Sequence, residues 1–174
     1  KDEERVKEVV KKLRKVNEDV RRLIERVSRE SKRLDEEVNR ELDESAKDTE
    51  RALRERLGDK EAVDRVRDET RRLAEELKEL SERNEKRSRD SAREVEKISR
   101  DTEERVKEIE DKVKAGADAD EVVKEIEKLA KTSEELARRI VRENEESARE
   151  SLERARKLVE DDRRLVKEVV ERAE

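Results

Sequence analysis

The sequence predicts an all-α fold: a long up-down-up antiparallel three-helix bundle with nearly straight helices and two short Gly/Asp loops. Three observations carry this. Apolar residues recur in alternating steps of three and four along the whole chain, the spacing of a helix face and not of a strand. Glycine occurs only at Gly58 and Gly116, and proline is absent, so only two places break the helical pattern. The remainder of the 174 residues is dominated by Glu, Lys, Arg, Ala, Leu and Val, the bias of long helices.

The first helix is expected over about 1–57. Its apolar stripe includes Val6, Val10, Leu13, Val20, Ile24, Leu34, Val38, Leu42 and Leu53. The stretch "LGDKEA" ends it, with Gly58 free to take a left-handed conformation and Asp59 suited to cap the next helix. The second helix is expected over about 60–114. Its stripe is narrower and turns polar midway, through Ser81, Asn84, Ser88 and Ser91, before Val95 and Ile98 resume it. The stretch "KAGADADE" repeats the break: Gly116 ends the helix, Asp118 caps, and Glu121 follows three residues later as a relative of the capping box. The third helix is expected over about 119–174. In it Ile126, Ala137, Ala148, Val159 and Val170 recur every 11 residues, a period that keeps packed helices straight or slightly right-handed. At ~1.5 Å per residue each helix is roughly 85 Å long, and loops this short make neighbours antiparallel. The whole chain, 1–174, is read as a single helical-bundle domain.

Polar residues interrupt all three stripes at shared heights. Folding the chain at its loops sets residues opposite one another when their numbers total about 117 across the first loop and about 233 across the second. Ser28 and Ser31 then lie level with Ser88, Asn144 and Ser147. Asn17 lies near Ser99, Thr102 and Ser133. Ser45 and Thr49 lie near Thr70 and Asp162, and Ser81 near Ser151. A buried hydroxyl or amide without a partner costs about 1–3 kcal/mol, whereas a satisfied one is close to neutral. Gathering such groups into layers lets each satisfy another and penalises every other register. These residues, with Asn84 and Ser91, form the expected buried polar network. The competing reading is a poorly packed, water-accessible middle. Asp162, the one acid on a core stripe, is expected to accept from Thr70, Ser45 or Arg71.

The short Gly58–Asp59 and Gly116–Asp118 loops, the Glu/Lys/Arg surface, and Asn17, Asn84 and Asn144 with their serines together resemble computationally designed helical bundles with buried hydrogen-bond networks. The resemblance covers the whole chain and is one of style. Such bundles serve as scaffolds, oligomers, heterodimer halves or switches, so it implies a structural role, no catalytic residues, and no enzyme. Spectrin-like and apolipoprotein-like three-helix proteins are the natural alternative. Their core aromatics or wide lipid-facing sides are not matched here, for Phe, Trp and Tyr are absent.

Composition narrows the chemistry. Acids (54) slightly outnumber bases (49), giving a net charge of −5, and basic pairs such as Arg71–Arg72 and Arg138–Arg139 are flanked by acids. A nucleic-acid partner is therefore not expected. No apolar run approaches the ~20 residues of a membrane span. No signal-peptide pattern is visible, which is compatible with a soluble, cytoplasmically expressed protein and leaves its location open. Without His or Cys, the usual zinc, haem and thiol sites are not available, and no Gly-rich phosphate loop occurs. No cofactor, metal or small-molecule substrate is expected. The stripes of helices 1 and 3 are wider than that of helix 2, so Val10, Ile24, Val123, Val141, Val166 and Val170 are candidate interface residues. They are expected to serve self-association into a larger helical bundle, or to accept one separate partner helix in the groove between helices 1 and 3; the third reading is a plain monomer whose wider stripes only reflect helix drift.

Overall fold

A computed structural model describes residues 2–56 and 60–173, apart from the side chains of Ala52, Glu55, Arg56, Val170 and Ala173. The first expected break, Leu57 to Asp59, and the side chain of Val170 thus lie outside the described residues. Three helices account for the fold: α1, Asp2–Arg56; α2, Lys60–Lys114; and α3, Ala119–Ala173. The protein is an all-α three-helix bundle. Acidic residues open all three helices (Asp2, Glu3 and Glu4; Glu61; Asp120 and Glu121), and basic ones close α2 and α3 (Lys112 and Lys114; Arg172). Both placements suit the helix dipole.

The second loop is built as its residues require. The Gly116 N–H donates to the Val113 carbonyl at 3.1 Å and the Ala117 N–H to the Lys112 carbonyl at 3.0 Å. This is the paired closure that ends a helix on a left-handed residue, and Gly116 has φ of +98°. Two residues later the Asp118 carboxylate accepts from the Asp120 N–H at 3.1 Å, and its carbonyl accepts from the Val122 N–H at 3.1 Å. Asp118 is therefore the N-cap of α3.

The chain falls into two compact units. Unit 1 comprises Lys1–Ser28 and Arg87–Glu145; unit 2 comprises Arg29–Lys86 and Glu146–Glu174. Within unit 1, Val6, Val10 and Leu13 of α1 meet Val106 and Ile109 of α2 and Val122, Val123 and Ile126 of α3. A second cluster gathers Val20, Ile24, Val95, Ala137, Ile140 and Val141. Arg14 pairs with Glu103 at 3.4 Å and Arg21 with Glu96 at 3.9 Å, so α1 runs against α2 there. Arg5 reaches Asp120 at 3.0 Å, so α1 runs alongside α3 in the same direction. Within unit 2, Val38, Leu42, Leu77, Ala155, Leu158 and Val159 form one cluster, and Leu53, Val63 and Val66 another. Burying a Val, Leu or Ile side chain contributes about 1.5–3 kcal/mol, so these clusters hold the helices together. The ion pairs, all with largely exposed partners, contribute at most about 1 kcal/mol each.

The clusters place most of the candidate interface residues inside the chain's own core. Val10, Ile24, Val123 and Val141 are 2%, 1%, 8% and 2% exposed, all packed within unit 1 itself, and Val166 is half-buried against the last cluster of unit 2. These residues of α1 and α3 pack in clusters shared with α2 of the same chain. The four buried valine and isoleucine residues do not line an open groove. Among the described residues Leu23 is the one large apolar side chain left exposed, at 40%.

Candidate functional site in the buried polar core

Seven polar side chains are buried among the described residues: Asn84, Ser88, Ser99, Thr102, Ser133, Asn144 and Asp162. All seven belong to the polar network read from the sequence. None lies on α1. The other expected members, Asn17, Ser28, Ser31, Ser45, Thr49, Thr70, Ser81, Ser91, Ser147 and Ser151, are half-buried.

In unit 1 two polar pairs link α2 to α3. Thr102 Oγ1 and Ser133 Oγ lie 3.0 Å apart, with both residues buried. Either hydroxyl can donate to the other, so the pair is satisfied in place. It sits between the two apolar clusters of its unit. The Ser88 hydroxyl donates to Asn144 Oδ1 at 3.5 Å, at the far limit of a hydrogen bond. Asn144 is 1% exposed, and its Nδ2 is buried without a hydrogen-bond partner among the described residues. That orphaned donor costs about 1–3 kcal/mol. This layer is only partly satisfied.

In unit 2 the Thr70 hydroxyl donates to Asp162 Oδ1 at 3.1 Å. Asp162 is 2% exposed, and among the described residues no basic side chain pairs with it. Of the three acceptor partners expected, Thr70 is the one found. Burial pushes the Asp162 carboxyl above the ordinary aspartate value, and the nearby charge of Glu69 pushes the same way; the hydrogen bond from Thr70 opposes them and loses. Beside Thr70 a cavity of about 60 Å³ is lined by Ala46, Glu50, Leu53, Val63, Val66 and Arg67. It has room for a water or two.

Two features escaped the sequence reading. Asn84 Nδ2 donates to Asp35 Oδ2 at 3.3 Å, so an acid on α1 belongs to the polar set. The signal was there: Ser31, Asp35, Val38 and Leu42 continue the three-four spacing more evenly than Leu34 does. Arg67 of α2 pairs with Glu50 of α1 at the margin of the Thr70 cavity, while its Nε is buried without a partner. That arginine lies beside the stripe and reaches in with a long side chain, which spacing alone does not show.

Of the three pairs, Thr70–Asp162 alone sets a hydroxyl against a carboxylate. Among the described residues no group of three His, Cys, Asp or Glu side chains could hold a metal ion. Among the described residues no helix is long and apolar enough to cross a membrane. No family model, curated protein or solved structure matches the chain.

Proposed function

We propose that the chain is a designed structural scaffold, with no reaction of its own, whose buried polar pairs select one packing of three otherwise similar helices. The observation that carries this reading is the set Thr102–Ser133, Ser88–Asn144 and Thr70–Asp162. Each pair joins α2 to α3, at a height matched by residue number, among apolar clusters of Val, Leu, Ile and Ala. Apolar contacts tolerate a slip of one turn; a hydroxyl moved against Leu or Val loses its partner. The polar pairs thus serve specificity more than strength.

The test is to replace two pairs by apolar residues of similar size, as Thr102→Val, Ser133→Ala, Ser88→Ala and Asn144→Leu together. The expected product is as stable to heat as the parent or more so, yet shows more than one set of amide NMR peaks or more than one mass in solution. A single sharp set of peaks and an unchanged mass would refute selection by the polar pairs.

The same reading has the chain monomeric. Its support is that Val10, Ile24, Val123 and Val141 are buried in the chain's own core, and that among the described residues Leu23 is the one large apolar side chain left exposed. Light scattering behind size exclusion at two concentrations is expected to return the 20.7 kDa of one chain. A defined multiple of that mass would restore the oligomer.

A further inference from the structure

The two units are equal in length, 87 residues each, and differ in their buried apolar side chains and their charge. Equal length means that ordering either unit costs about the same conformational entropy. The gain differs. Among the described residues unit 1 buries fourteen apolar side chains and unit 2 nine. The buried polar pairs of unit 1 are neutral, whereas unit 2 buries the Asp162 carboxylate against one hydroxyl donor. A buried charge met only by a neutral donor weakens the folded state. Charge balance points the same way: unit 1 has 25 acids and 25 bases, unit 2 has 29 acids and 24 bases. The division falls at Ser28, Lys86 and Glu145, where the stripe positions are Ser28, Ser31, Asn84, Ser88, Asn144 and Ser147. A helix that frays to such a point gives up little apolar contact in its last turns, so a boundary between folded and unfolded chain is cheap there.

We propose that unit 2 opens as a cooperative element of its own while unit 1 stays folded. The bundle then has a third state besides folded and unfolded, in which residues 29–86 and 146–174 are released.

Native-state hydrogen exchange of the full chain at rising denaturant tests this. Amides in the central turns of unit 2 are expected to converge on one shared opening, at a denaturant concentration below that of unit 1. In the absence of denaturant the slowest of them exchange about tenfold or more faster than the slowest of unit 1. Convergence of all amides on a single opening, or earlier opening of unit 1, overturns the proposal. The variant Val38→Ala separates the units independently. It is expected to speed exchange throughout unit 2 by about tenfold or more and to leave the slowest amides of unit 1 unchanged. Equal acceleration in both units, or loss of all protection, overturns it as well.

Discussion

Asp162 sets a pH dependence whose sign runs against the usual carboxylate. Its folded form holds a proton more tightly than the unfolded chain does, because burial and Glu69 outweigh the Thr70 hydrogen bond. Between the ordinary value of 3.8 and the raised folded value, the native state therefore binds more protons than the unfolded state. In that window stability falls as pH rises, and above it the cost is constant. Asp162→Asn keeps the acceptor for Thr70 and removes the charge. At neutral pH it is expected to gain about 1–3 kcal/mol in urea denaturation, with the gain shrinking toward pH 4. A variant less stable than the parent at pH 7 would show that the carboxylate is better solvated than its burial implies. Thr102 and Ser133 give a contrasting case. Thr102→Val alone is expected to cost about 1 kcal/mol, and the double change with Ser133→Ala to recover most of it, read as a coupling in a double-mutant cycle. All seven buried members were among the seventeen residues named for the network, while the other ten are half-buried, and Ser99 is buried beside the stripe position given to Ile98. Their partners were less legible: the reading set Leu34 on the stripe and passed over Asp35, because hydropathy takes precedence over spacing when two adjacent residues compete for one position.

The helix boundaries agree with expectation to within a residue at each described end. Gly116 and Asp118 make this so, because each has a backbone task that few other residues perform. A Cβ added at Gly116 meets nothing within 4 Å, so the cost of Gly116→Ala is conformational alone, about 1–2 kcal/mol from the positive φ. Asp118→Ala removes the acceptor for the Asp120 N–H and is expected to cost about 1 kcal/mol. Thermal melts of the two variants check both values. Stripe width shows how much apolar face a helix carries, but not whether what covers it belongs to the same chain. Val10 and Val123 are wide-stripe residues that pack in one cluster with Val106 and Ile109 of α2.

Taken whole, a chain of 59% charged and 29% hydrophobic residues folds because its few apolar side chains are nearly all used. Ile24, Ile109 and Ile126 are 1%, 0% and 0% exposed, and only Leu23 among the described large apolar residues is wasted on solvent. Economy of this kind leaves no reserve. Ile126→Ala is expected to cost about 2–5 kcal/mol, against less than about 1 kcal/mol for Arg14→Ala at an exposed ion pair; denaturant midpoints compare the two directly. Class and topology were legible because periodicity and two glycines suffice for them. Function was not, because the buried polar residues lie in pairs between helices and match no motif whose spacing names a chemistry.

The numbering relation between helices has a consequence for cutting and rejoining the chain. Arg14–Glu103, Arg21–Glu96 and Glu50–Arg67 all total 117, while Ser88–Asn144 and Thr70–Asp162 total 232 and Thr102–Ser133 totals 235, so pairs along the helices carry the same register as the turns. The turn at Gly116 is then one of several guides to that register. A chain severed there becomes two fragments that still carry each other's address, and a reporter split between the new ends would light up when they meet.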